Sequence, residues 1–167
     1  KALQLRLKEA LDTIQVGPDT RALYMGLSKS QDAIYTILYK ADDVKQVEIQ
    51  DDWNKAKGIT ILENKSINEL YKDDFQNIIE AETYVEAEKA VHKIPRKQKD
   101  NKYTNFFRNF KYFYEKLLLY SESNLNNFAK IFLGKCQIIE IKSWQIEQAI
   151  TMFNSLNSTG MPLSDAD

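Results

Sequence analysis

Two stretches of this sequence bring together side chains able to handle a phosphate. In the first, N-S-T-G-M-P-L-S-D-A-D, Asn157, Ser158 and Thr159 stand beside Gly160, with Asp165 and Asp167 following. Asn and Gly tolerate a left-handed backbone best, so Asn157 and Gly160 can each close a helix and reverse the chain. Pro162 stops helix continuation. Ser164-x-x-Asp167 imitates a capping box that opens a further helix, with Leu163 placed to staple it. Read structurally, every residue of the run serves a tight helix–turn–helix connection. Read functionally, the free N–H groups of a helix N-terminus attract phosphate, and Asn157, Ser158 and Thr159 add donors. Asp165 and Asp167 would then suit a magnesium-bound phosphate. Both readings stay open.

The second stretch, K-I-P-R-K-Q-K-D-N-K from Lys93 to Lys102, holds five basic residues and one acid. It follows a segment, Glu63 to Ala90, with eight acids against three lysines. The ordinary reading is an exposed acidic helix followed by a solvated loop. The sharper one makes Lys93, Arg96, Lys97, Lys99 and Lys102 candidate phosphate or DNA contacts. Elsewhere the chemistry is sparse. The single histidine, His92, excludes a two-histidine metal site, and the single cysteine, Cys136, excludes an internal disulfide. No Cys/His cluster exists for zinc, so no metal site is expected. Cys136 reads as a buried small hydrophobe, with no neighbouring base or cation to make it a nucleophile. His92 reads as the end of an exposed helix, where a cation complements the dipole.

The elements that must position these residues read as mainly helical. The chain has 167 residues, 43% hydrophobic and 28% charged, an ordinary globular composition. Five glycines and three prolines are too few for a β-sandwich, which needs a turn every ~8–12 residues. A formal net charge of −1 argues against a polybasic nucleic-acid binder while allowing a local basic patch. The longest apolar run, Leu117 to Tyr120, is far below the ~20 residues of a membrane span. No membrane partner is expected, and a cytoplasmic location is. The chain starts without Met and reads as a piece of a longer protein.

Leu3, Leu7, Ala10, Leu11 and Ile14 share one helical face, and Gly17-Pro18 ends that helix. Arg21 to Leu27 suggests a short strand and Ser28 to Ser30 a polar break, with Ser30 capping a helix through Lys40. Val44 to Ile49 alternates weakly, and Trp53 reads as a buried anchor. Ser66-Ile67-Asn68-Glu69 matches a capping box. Asp73 or Asp74 then caps a longer helix to about His92, with Phe75, Ile78 and Ile79 inward. From Tyr103 to Tyr120 the chain packs eight of its nineteen aromatics into eighteen residues. Tyr103, Phe106, Phe107, Phe110, Phe113, Tyr114, Leu117 and Leu118 form a core stripe. Tyr112 and Leu119 fall opposite, so this helix is expected to be central and covered on both sides. Asn124 caps a further helix with Leu125, Phe128, Ala129 and Phe132 inward, closed by Gly134. Cys136 to Lys142 reads as a short strand. Ser143 caps a last helix that buries Ile146, Ala149, Ile150, Phe153 and Leu156. The expected fold class is mainly α, the helical part of an α+β domain, with one to three short strands.

The run A-I-T-M-F-N-S-L-N-S-T-G-M-P-L-S-D-A-D, Ala149 to Asp167, resembles A-x-x-(I/M)-F-x-x-L-N-x-x-G-x-P-L-S-x-x-D. That pattern marks the N-terminal domain of GmrSD-type, modification-dependent restriction endonucleases. The upstream order agrees from Asn101 onward, with an aromatic helix introduced by N-K-Y-T-N-F-F-R-N-F-K-Y-F. The resemblance implies a domain related to the ParB/sulfiredoxin fold that binds and hydrolyses GTP or ATP with magnesium. It links hydrolysis to recognition of modified phage DNA in bacterial antiphage defence, with cleavage by a separate HNH nuclease domain. On it, residues 1–167 are a single fragment: 1–40 helix, possible strand and helix, 41–100 a variable charged region, 101–167 the motif-bearing part. Phe153 and Leu156 match the family's buried positions, Asn157 and Gly160 its polar turn, and Asp167 its final acid. The family's nucleotide signature D-G-Q-Q-R, expected just upstream of a helix like Lys1 to Ile14, is not in this sequence, and neither is an HNH motif. The fragment is therefore expected to hold no cofactor and be inactive alone, with DNA and the protein's other domains as partners. The alternative is a non-enzymatic helical module that binds DNA or protein.

Overall fold

A computed structural model of the chain describes residues 1–38, 69–137 and 145–158. These hold seven helices, α1 Ala2–Thr13, α2 Arg21–Leu38, α3 Glu69–Glu80, α4 Tyr84–Ala90, α5 Asn105–Leu118, α6 Glu122–Lys135 and α7 Ile146–Ser158. The chain divides into two compact units, Lys1–Lys135 and Cys136–Asp167.

The hub of the first unit is α1. Its apolar residues run round most of the helix, and Ala2, Leu3, Leu5, Leu7 and Ala10 are all buried. A helix buried on several sides needs several neighbours, and α1 packs on α2, α5 and α6. The aromatic helix α5 is therefore not central. It packs on α1 and α3 through Phe107, Phe110, Tyr114 and Leu117. Its other side is open, because Tyr112 is 57% and Leu119 78% exposed, and Phe113 and Leu118 also reach solvent.

Local chemistry explains where other expectations fail. Arg21 to Leu27 is the first half of α2, not a strand. Ser30 does not cap. It lies inside the helix, buried, and its hydroxyl donates to the Gly26 carbonyl at 3.1 Å, so the polar break costs the helix little. The expected long helix to His92 is two helices. Thr83 caps α4 by accepting the Glu86 N–H at 3.1 Å, while Glu86 Oε2 accepts the Glu82 N–H at 2.8 Å. Asp73 and Asp74 sit inside α3 rather than before it, with Ile78 and Ile79 buried as expected. Ser121 precedes α6 and its hydroxyl accepts from the Asn124 N–H at 3.4 Å, so Asn124 is the capped residue rather than the cap. Gly134 lies within α6, and Phe132 is half exposed while Leu125 and Ala129 are buried.

One tertiary contact joins distant parts of the first unit. Tyr114 on α5 donates to Glu9 Oε1 on α1 at 2.6 Å, and Glu9 also pairs with Arg6. Tyr84 stacks on Tyr114 with ring centroids 4.5 Å apart and on Phe110 at 5.8 Å. An apolar cleft of about 380 Å³ opens between α1, α3, α5 and α6, lined by Phe75, Phe106, Phe113, Phe128 and Phe132 among others.

In the second unit α7 carries the expected apolar stripe, but Ile146, Ile150 and Phe153 are exposed, at 81%, 54% and 62%. Among the described residues of that unit no other helix is present to cover them. Cys136 is exposed rather than buried. No strand occurs among the described residues. The expected strand from Cys136 lies largely outside them, as do Val44 to Ile49, Trp53, the Ser66 capping box apart from Glu69, and Ser143.

Candidate functional site

The two candidate stretches are described to different extents. Asn157 and Ser158 are the last two residues of α7, so the helix takes in the first two residues of the expected turn. Thr159, Gly160 and Asp167 lie outside the described residues.

The basic stretch is fully described and is built as a closed loop between α4 and α5. Lys93 pairs with Tyr103 in an isolated antiparallel bridge, and the Ile94 N–H donates to the Lys102 carbonyl at 2.6 Å. The Lys102 N–H in turn donates to the Gln98 carbonyl at 3.0 Å. Between these ties Arg96 takes φ +59°, a left-handed backbone that costs a side-chain-bearing residue roughly 1–2 kcal/mol. Lys93, Arg96, Lys97 and Lys99 are exposed, and Lys102 is half-buried.

The loop's base is held from below by a buried carboxyl. Asp74, 1% exposed, accepts the His92 N–H at 2.6 Å through Oδ1 and the Thr104 hydroxyl at 2.5 Å through Oδ2. His92 and Thr104 bracket the loop, so one side chain of α3 clamps both of its ends. His92 thus contributes its backbone, while its side chain is exposed and lies beyond the end of α4. Tyr103, next to Thr104, is buried and donates to Glu88 Oε1 at 2.7 Å. That bond to a carboxylate pushes the Tyr103 phenol up to about 12. Lys102 Nζ lies 4.9 Å above the Tyr103 ring, a cation–π contact that steadies its stem.

On its outer side the loop is tied to α5. Lys111 Nζ meets Asp100 Oδ1 at 2.7 Å and Glu115 at 3.9 Å. The bond holds the exposed Asp100 carboxyl below its usual range and the Lys111 ammonium above its own. The one acid of the loop is thereby spent on Lys111. No ion pair among the described residues involves Lys93, Arg96, Lys97, Lys99 or Lys102. Between loop and helix lies a polar cleft of about 360 Å³, lined by Asp100, Asn105, Arg108, Asn109, Lys111 and Tyr112 among others. No group of three or more His, Cys, Asp or Glu side chains that could hold a metal occurs among the described residues. No helix among them is long and apolar enough to cross a membrane.

The sequence reading placed the five cations correctly on one loop but missed Asp74, Asp100 and Lys111. Their partners lie 11 to 30 residues away, and no local spacing announces them.

A mainly helical domain with a clamped, exposed basic loop is the class that this fold and site define. The chain matches the family of the GmrSD restriction endonuclease, N-terminal domain, over residues 19–167, and it belongs to that family. The match extends the resemblance seen from Asn101 onward back through the charged middle of the chain and all of α2 to Asp19. No curated protein and no solved structure matches it significantly.

Proposed function

We propose that this chain is the helical part of the nucleotide-hydrolysing, DNA-modification-sensing regulatory domain of a bacterial antiphage restriction endonuclease. Family membership across residues 19–167 carries the reading. The nucleotide is GTP or ATP with magnesium. Magnesium held on triphosphate oxygens asks for one or two protein carboxylates rather than a cage, and Asp167 is the one the family pattern offers. On this reading Asn157 and Ser158, which end α7, face the nucleotide together with Thr159 and Gly160, next in sequence. The signature D-G-Q-Q-R does not occur in these 167 residues, so the chain by itself does not complete the hydrolytic site.

Equilibrium binding of fluorescent GTP and ATP, with magnesium, to this chain and to the chain extended through its natural upstream sequence tests the reading. Binding to the longer protein alone is expected. Binding to neither would remove the nucleotide from the function. In the full-length protein Asn157→Ala is expected to lower turnover more than melting temperature, and the reverse pattern would make Asn157 a turn residue only.

The clamped basic loop favours a DNA contact within the same domain, whether or not nucleotide is hydrolysed. Lys93, Arg96, Lys97, Lys99 and Lys102 would meet the duplex backbone. Each phosphate neutralised contributes about 0.9 to the slope of log K against log salt. Neutralising Arg96, Lys97 and Lys99 together is therefore expected to flatten that slope by about two to three units. An unchanged slope would remove the loop from the interface.

A further inference from the structure

The outer face of α5 carries four residues that the core does not use. Asn105, Arg108, Asn109 and Tyr112 recur at i, i+3, i+4 and i+7 and so share one side of the helix. At about 100° per residue that side is opposite Phe107, Phe110, Tyr114 and Leu117, which the core takes. All four are exposed, and all four line the polar cleft beside the basic loop. Arg108 Nη1 donates to Asn105 Oδ1 at 3.3 Å, a single tie that orients the guanidinium across the face and leaves its other donors free. Through Lys111 and Asp100 the loop is tied to this same helix, which sets the cations beside the polar face.

We propose that this face of α5 reads base edges in the major groove of duplex DNA, with Arg108 and Asn109 as the discriminating side chains. The inference rests on the duplex-binding reading of the basic loop, whose cations hold the flanking phosphates. The residue types match the task. A guanidinium pairs in bidentate fashion with guanine O6 and N7, and a carboxamide with adenine N6 and N7. A helix about 10–12 Å across fits a groove about 12 Å wide. Asn105 to Tyr112 rises about 10.5 Å, the length of about three base-pair steps at 3.4 Å each.

The same face is poorly made for the rival nucleic acids. Single strands need open aromatic surfaces on which bases stack. Tyr112 does not offer one, because Lys116 Nζ lies 5.4 Å over its ring and the Phe113 ring meets it edge-on at 5.6 Å. The major groove of an RNA duplex is too deep and narrow for side chains to enter. Two acids border the face, Asp100 and Glu115, and both lie against Lys111, at 2.7 Å and 3.9 Å, which offsets part of their repulsion of phosphate.

The test is enrichment of bound sequences from a pool of short duplexes randomised in sequence, with the wild-type chain and with Arg108→Ala and Asn109→Ala. Both positions are exposed, and circular dichroism checks that each variant keeps its helices. The wild type is expected to enrich a short sequence. Each variant is expected to lose preference at one position of it by about 10- to 100-fold, with the salt slope kept. Wild-type binding without any enrichment, or variants that enrich the same sequence as strongly, would overturn the inference and leave the loop's phosphate contact standing. Failure of the wild type to retain any duplex would overturn the duplex-binding reading and this inference with it.

Discussion

Asp74 and Thr104, thirty residues apart, meet in the interior, where the threonine hydroxyl donates to Oδ2 at 2.5 Å while Oδ1 takes the His92 N–H at 2.6 Å. A buried acceptor with two donors is expensive to remove, since each donor left unpaired costs about 1–3 kcal/mol. Asp74→Ala is expected to lower unfolding free energy by about 2–4 kcal/mol, measured as a shift of the urea midpoint. Asp74→Asn keeps an acceptor, and the Thr104 hydroxyl can rotate to accept from its amide, so its loss is expected to be smaller. Equal losses would mean that the clamp depends on charge rather than on donor pairing.

Gly26 sits where α2 passes close to α6. A Cβ there would lie 2.7 Å from Asn126 Oδ1 and 2.9 Å from Nδ2, and Asn126 is itself buried with Oδ1 unpaired among the described residues. Gly26→Ala is expected to destabilise by about 1–3 kcal/mol through overpacking. Asn126→Ala should relieve most of that, so a double-mutant cycle is expected to show a favourable coupling. Strict additivity would mean that the two helices separate instead of repacking.

The aromatic cluster sets an alkaline limit. Burial pushes the Tyr84 phenol up to about 12, the Glu88 bond does the same for Tyr103, and burial followed by the Glu9 bond raises Tyr114 further. Below the ordinary phenol value near 10 both folded and unfolded chains are protonated and the contribution to stability is complete. As pH rises from about 10 through about 12 the unfolded chain releases protons first, so stability falls across that window. In a titration followed by phenolate absorbance these tyrosines should ionise late, and together with unfolding. Nine tyrosines titrating as one population near 10 in the folded chain would contradict this.

Cys136 is free and exposed. A thiol reagent is therefore expected to modify the native chain about as fast as the urea-unfolded one, without loss of helical signal. Strong protection in the native state would return Cys136 to the buried role that its β-branched neighbours suggest.

Much of the helical frame is legible in the residues themselves, since α1, α5 and α6 each carry an apolar stripe at helical spacing that buries Leu3, Leu7, Phe107, Phe110, Leu125 and Ala129, though Phe113, Leu118 and Phe132 of the same stripes stay exposed. The family pattern too is local, a short run from Ala149 to Asp167 that a one-dimensional reading captures. So is the basic loop, because five cations in ten residues are visible without a fold. What spacing cannot show is which competing local signal wins. Ser28 and Ser30 look like a break until Ser30 bonds back to Gly26 and the helix runs on. Thr83 looks unremarkable until its hydroxyl and Glu86 divide one expected helix into α3 and α4. Nor can spacing show that α1, rather than the aromatic α5, is the hub, because centrality depends on how many neighbours pack around a helix. The site divides in the same way. Its charges were written along the chain, whereas the clamp of Asp74 on His92 and Thr104, and the tie of Asp100 to Lys111, exist only once α3 and α5 lie against the loop. Periodicity reports the forces that act between near neighbours in sequence, and pairing across 11 to 30 residues is decided by packing alone.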